Sequence, residues 1–273
     1  MESIVEAWLS DLTGVLEGET AVVSDLRVGV FYTIARLASG HTGVAFTPRD
    51  LSETVCCPRS AAEAPAAGRM AGEDAWALCR YARGPRPLHR AVGVAVLNAL
   101  SALAMERRGT PGGRVQVGVD ALDAARVTPE DRVALVGAFA PFIMALKGRV
   151  GELWVVDRHR AGLKPDELPF WRPPEQGQDV LRQASVAVVS GSALIEGGLE
   201  ELLAACRRHA RCVVLAGPTA SPWPPTFFHR GVDVLGGIRV LDGKKMLQIV
   251  SEAGSGYFFE GFAEKVCILR DGA

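Results

Sequence analysis

The stretch Val133-Ala134-Leu135-Val136-Gly137-Ala138-Phe139-Ala140-Pro141 decides the reading of this chain. An apolar run meets a glycine, then a proline, and continues as Phe142-Ile143-Met144-Ala145-Leu146-Lys147-Gly148. That order predicts a buried strand, a tight turn and a helix whose first turn takes the proline. Residues 153–156, 186–189 and 212–216 are apolar runs of the same kind. Helical connections are expected over 141–149, around 178–183 and over 199–208. Short, near-continuous apolar strands separated by helices imply a parallel sheet covered on both faces, an α/β arrangement of Rossmann-like type over residues 125–273.

Upstream the pattern differs. Ile4, Val5, Trp8, Leu9, Leu12, Val15 and Leu16 mark one face of an amphipathic helix. Residues 21–30 and 42–46 read as strands, with 31–39 as a third candidate and Gly40 and Gly43 as punctuation. The Ala-, Gly- and Pro-rich segment 56–72 reads as loop. Residues 73–81 and 88–108 read as helices. The second follows Pro87 and ends in Glu106-Arg107-Arg108-Gly109, basic residues before a glycine stop. It is apolar nearly all round, so burial between the first sheet and another layer is expected. An α+β domain over 1–110 thus precedes the Rossmann-like domain, with 109–113 opening the connection.

The chain has 273 residues, enough for two cores. Its 30 basic and 31 acidic residues leave a net charge of −1, without the electrostatic footprint of a nucleic-acid or anionic-membrane binder. The acidic N-terminus does not read as a signal peptide. The longest apolar run, 91–105, is shorter than the roughly 20 residues of a membrane span. A cytoplasmic location is expected.

A dinucleotide fingerprint places glycines where this chain has Phe139 and Phe142. Two bulky rings leave no room for a pyrophosphate to lie flat, so NAD is not expected. No G-x-S-x-G elbow is present, because positions 190 and 194 are Ser and Leu. The other strand ends are more informative. Asp157 follows the second strand of the set. Ser190, Gly191, Ser192 and Glu196 follow the third, and Gly217, Pro218 and Thr219 follow the fourth. Ligands of open parallel sheets bind beyond the carboxyl ends of strands. Gly137, Phe139, Ser190, Gly191, Ser192, Gly217, Pro218 and Thr219 are therefore the candidate binding residues, with Asp157 and Glu196 as candidate general bases. The structural alternatives are that Asp157 caps a helix or pairs with Arg158 or Arg160, that the serines cap the next helix, and that Glu196 is solvated. Asn98, in the middle of the apolar helix, must be hydrogen-bonded if buried, to a neighbouring loop or toward the cleft.

Six cysteines occur without a C-x-x-C pair, so thiols are expected rather than a disulfide framework. Cys79, Cys206, Cys212 and Cys267 read as buried apolar fillers. Cys56-Cys57 is the dense thiol pair and the candidate metal ligand. His41, His89 and His229 are further candidate ligands, but no linear spacing gathers them with Asp157 or Glu196.

The segments "VALVGAFAPFI", "LWVVDR", "ASVAVVSGSALIEGGLEELL", "VVLAGPTASPWPPTFFHRGVDVLGG" and "RAVGVAVLNAL" resemble the heavy-metal chelation family of Rossmann-like proteins, once of unknown function. The resemblance spans nearly the whole chain. It implies an N-terminal domain similar to that of enolase, covering the segments 28–48 and 67–100. It also implies a homodimer, and a site between the domains that handles a metal ion or metal-chelating small molecule. The chain departs from the family pattern at Glu196, where an amide is usual, and at Asp157, where a glutamate is expected. Three readings follow: a metal- or chelate-handling protein, an enzyme acting on a small anionic or nucleotide-like substrate, and a scaffold that binds a protein partner.

Overall fold

The computed structural model describes residues 2–48 and 66–273, so Cys56 and Cys57 lie outside the described residues. Helix α1 (Ile4–Val15) opens the chain, its first turn capped by Ser3, whose hydroxyl accepts the N–H of Glu6. It buries Ile4, Trp8, Leu9 and Leu12. Strands β1 (Val23–Val28), β2 (Tyr32–Leu37) and β3 (Thr42–Phe46) form an antiparallel meander. The third-strand candidate is thus a real strand at the centre of this small sheet.

After the short helix α2 (Ala75–Cys79) comes α3 (Pro87–Arg108), with Pro87 in its first turn and Gly109 at its C-cap. Every residue from Ala91 to Ser101 is buried. By length and composition α3 would suffice to cross a membrane, yet it packs inside the protein against β2 and β3. Gly43 makes the close approach possible. A Cβ there would lie 2.2 Å from the Ala95 carbonyl oxygen and 2.3 Å from the Ala99 nitrogen, so only hydrogen fits.

The second sheet has eight strands: β4 (Gly113–Val117), β5 (Arg132–Val136), β6 (Glu152–Val156), β7 (Trp171–Arg172), β8 (Val186–Ser190), β9 (Cys212–Ala216), β10 (Val234–Val240) and β11 (Ala263–Arg270). Their order is β4-β11-β10-β9-β8-β5-β6-β7. Neighbours from β10 to β7 pair in parallel, and β11 is antiparallel to both β10 and β4. The four apolar runs are the inner strands β5, β6, β8 and β9. The sequence reading leaves out β4, β7, β10 and β11, and each hides for a physical reason. β4 is an edge strand with half-exposed positions, β7 has only two residues, Gly236-Gly237 interrupts β10, and β11 begins with charged, part-exposed residues.

From β5 the chain crosses to β6 on one side, and β8 later returns to the other side of β5. The β5/β8 boundary is therefore the topological switch point of the sheet. The crossovers carry α4 (Ala121–Ala124), α5 (Ala140–Leu146), α6 (Gly177–Gln183), α7 (Ala193–Glu196), α8 (Leu199–Cys206), α9 (Pro224–Phe228) and α10 (Gly243–Ser251).

One apolar core joins α1 and α3 to a face of the large sheet through Trp8, Leu97, Leu100, Ala187, Leu215 and Phe227. Trp8 meets Phe227 edge to face, centroids 5.3 Å apart. The opposite face is covered by a second cluster that includes Leu135, Val188, Val214 and Ile143. Helix α10 crosses back to the small sheet, where Met246 and Val250 pack with Ile34 and Val44.

Candidate functional site

The switch point is closed by short, specific contacts. Gly137 has φ +109°, a conformation open to glycine, and a Cβ there would lie 3.1 Å from Cβ of Ser190. Phe139 and Phe142 stack with centroids 5.1 Å apart. Asp157 sits beside the turn and accepts two backbone N–H groups, from Ala138 at 2.8 Å and from His159 at 2.7 Å. Ser190 Oγ accepts the N–H of Ser192 at 3.2 Å. The N–H of Gly191 donates to the carbonyl of Ala216 at 2.8 Å, and Gly191 lies against Thr219 and Ala220. Glu196 forms an ion pair with Arg158. Gly217 donates to the carbonyl of Gly236 at 2.9 Å, and the Pro218 carbonyl accepts from Ser221 Oγ at 3.4 Å.

The predicted residues thus form two groups. Gly137, Phe139, Ser190, Gly191, Gly217 and Thr219 make a continuous floor. Asp157 and Glu196 stand to one side of it, with Arg158 next to one and paired to the other. Ser192 precedes α7, and its carbonyl accepts the N–H groups of Ile195 and Glu196.

Thr219 reaches furthest toward the N-terminal sheet. It is buried, and its Oγ1 accepts the N–H of Phe46 at 2.9 Å. Its carbonyl accepts from Nδ2 of Asn98 at 3.0 Å, and the same amide nitrogen donates to the Val44 carbonyl at 2.8 Å. Oδ1 of Asn98 is buried with no hydrogen-bond partner among the described residues. A buried acceptor left in that state costs about 1–3 kcal/mol, so it requires an explanation.

Asn98 lines a cavity of about 500 Å³ between α3 and the β10–β11–β4 edge of the large sheet. Ala102, Met105, Val115, Leu235, Val266 and Ile268 supply apolar wall, and Ala220 and Ser221 bring in the loop after β9. The size lies within the range of small-molecule sites. His41 and Glu106 also line it, with His41 Nε2 2.5 Å from Glu106 Oε2 and His41 Nδ1 2.9 Å from Ser39 Oγ. Arg239 lines it as well, hydrogen-bonded to Glu264 at 2.5 Å. Gly137, Phe139, Ser190, Asp157 and Glu196 are not among its lining residues. Sequence reasoning offers Asn98 and His41 as candidates but has no signal for Glu106, which reads only as a helix end. A second depression, about 320 Å³ and more open, lies by Ser3, Arg90 and Glu200. Arg90 there is already committed to the carbonyls of Ile195, Gly84 and Pro85.

None of the four described cysteines is among the residues that line this cavity. Burial pushes the thiols of Cys79, Cys206 and Cys212 up to about 12 and that of Cys267 up to about 11. All four are buried and free. No group of three or more His, Cys, Asp or Glu side chains gathers at a metal-sized point among the described residues.

A family model described as "Putative heavy-metal chelation" (DUF364) matches residues 120–269, and another with the same description (DUF4213) matches residues 15–101. The chain belongs to this family. No curated protein matches it. Among solved structures it is similar to a DUF364-family protein of unknown function from Pyrococcus horikoshii. That similarity covers 98% of this chain and 100% of the other, at 19% identity and TM-score 0.74. A second DUF364-family protein of unknown function, from Desulfitobacterium hafniense, matches over 96% and 99% of the two chains, at 17% identity and TM-score 0.73. At these identities the likeness establishes the fold: a small N-terminal sheet followed by a large, mostly parallel one.

Proposed function

We propose that the protein binds a small organic metal chelate in the cavity between α3 and the large sheet. The observation that carries this reading is a largely apolar cavity of about 500 Å³ lined in part by Asn98, whose buried Oδ1 has no hydrogen-bond partner among the described residues. Such a cavity selects a molecule with an apolar body, and a small rearrangement at Asn98 offers its acceptor to an N–H or O–H group at one end. The described residues supply no three-donor cage for a bare ion. A metal entering here would bring donors of its own, as a chelate does. The family's description agrees with that chemistry.

The alternative is an enzyme with Asp157 or Glu196 as general base, and it has less support. Each oxygen of Asp157 accepts a backbone N–H, and Glu196 is paired with Arg158. Both carboxylates thus have structural work at the strand ends.

Thermal unfolding with a panel of aromatic N,O- and N,N-chelators, alone and loaded with Cu²⁺, Ni²⁺ or Zn²⁺, tests the proposal. Stabilisation of the wild type that disappears in A102W, where the indole fills the cavity from the α3 wall, is the expected result. Stabilisation equal in A102W would place the ligand elsewhere, and no shift with any chelate would end the reading. A C56S/C57S variant in the same panel separates a thiolate contribution by Cys56-Cys57 from binding in the cavity.

A further inference from the structure

We infer that His41 and Glu106 grip the metal of the bound chelate, at the opposite end of the cavity from Asn98. This rests on the chelate-binding reading and adds to it the protein's own metal ligands. His41 lies in the turn between β2 and β3, and Glu106 in the last turn of α3. The two come from distant parts of the chain, yet Nε2 and Oε2 meet at 2.5 Å. Opening that contact to roughly 3 Å gives the edge of a coordination polyhedron with bonds of about 2.1 Å.

The second ring nitrogen of His41 is also provided for. Nδ1 lies 2.9 Å from Ser39 Oγ. In the metal-free pair Nε2–H donates to Glu106; when a metal replaces that proton, Nδ1–H donates to the Ser39 hydroxyl and Nε2 carries the lone pair that the metal needs. An outer partner of this kind is the usual companion of a ligating histidine. The His41 side chain is 15% exposed and that of Glu106 is 61% exposed, so the pair forms the mouth of the cavity and faces incoming ligand. Imidazole with carboxylate suits Cu²⁺, Ni²⁺ or Zn²⁺ better than Mg²⁺ or Ca²⁺. Two protein donors leave at least two positions for the chelator.

Helix geometry sets the length of the guest. Asn98 and Glu106 are eight residues apart on one helix, about 12 Å along its axis. Ala102 and Met105 line the wall between them. The ligand class is therefore a flat, conjugated chelator roughly 10 Å long, a span set by that helix rise. Its donor pair faces the mouth, and its N–H or O–H group reaches the buried amide.

The probe is 5-amino-1,10-phenanthroline, metal-free and as its 1:1 Cu²⁺ complex. It is titrated into the full chain by fluorescence and followed by electron paramagnetic resonance. The expected result is a loaded complex carrying an added imidazole nitrogen in its spectrum. H41A should lose that nitrogen and weaken the loaded probe at least tenfold, and E106Q should weaken it several-fold. In both variants the metal-free probe, which offers no metal to grip, should lose much less affinity than the loaded one. Glu106 is exposed near a helix end, so E106Q reports without a folding risk. Equal binding and an unchanged spectrum in H41A and E106Q would overturn the grip while leaving the cavity reading intact. Failure of wild type to bind either form, or undiminished binding by A102W, would overturn the cavity reading and the grip with it.

Discussion

The side-chain amide of Asn98 donates to the carbonyl of Thr219 at 3.0 Å, across 121 positions of sequence. With its companion bond to Val44 at 2.8 Å, it ties α3 both to the small sheet and to the loop after β9. N98A removes the donor from two buried carbonyls. Orphaning both costs about 2–6 kcal/mol, at about 1–3 for each group, and removal of the unpartnered Oδ1 returns about 1–3, so a net loss of about 1–3 kcal/mol is expected. Urea denaturation of wild type and variant measures it. A loss under half a kcal/mol would mean that water replaces the amide.

Gly43 offers a sharper test of the helix-on-sheet contact. G43A drives a methyl group into the backbone of Ala95 and Ala99, which a rigid helix cannot yield. Destabilisation of roughly 3 kcal/mol or more is expected, at the upper end of overpacking costs. Thermal melting with circular dichroism reports it. G14A should be benign by comparison, because nothing lies within 4 Å of a Cβ there.

Asp131 binds together the amino ends of three inner strands. It accepts from Thr128 N at 2.8 Å, from Ser185 Oγ at 2.7 Å and from Arg211 Nε at 3.1 Å. Burial alone would raise its pKa. The hydrogen bonds from Arg211, Thr128 and Ser185 outweigh burial and hold the carboxyl well below the usual carboxylate range. The sign follows from the depressed folded value. The stabilisation is complete above the ordinary carboxylate pKa of about 3.9 and is lost as pH falls below it. Urea midpoints should therefore drop between pH 5 and pH 3, and D131N should flatten that drop. R211A should cost about 2–3 kcal/mol at neutral pH, in line with hydrogen bonds to a charged group.

The four described cysteines predict a labelling pattern. In C56S/C57S, the remaining thiols are buried, and burial raises their pKa to about 11 or 12. Iodoacetamide at pH 8 should modify the folded variant at well under one thiol per chain, and all four after unfolding in guanidinium. Rapid modification of the folded variant would show that one of these sites opens.

The sequence pattern is legible at some of these residues and silent at others. The four apolar runs beginning with 132–136 announce inner parallel strands because both their faces are buried, which makes the hydrophobic signal continuous. Asn98 stands out as an amide inside an apolar helix. β10 does not stand out, since Gly236-Gly237 breaks its pattern, and β4 half faces solvent.

The sequence by itself determined the α/β class, the buried character of α3 and the turn at Gly137, because periodicity and steric freedom are local properties. Only the tertiary structure placed the cavity. Its walls come from α3, the 39–42 turn and the β10–β11–β4 edge, which no linear spacing connects. His41 and Glu106 are 65 positions apart and meet only because the β2–β3 turn folds against the end of α3. The polar strand ends stand out as a candidate site in the sequence because they cluster along the chain. Several of their hydrogen-bonding groups are spent on the turns that close the sheet, and Asn98 lines the cavity between the two sheets.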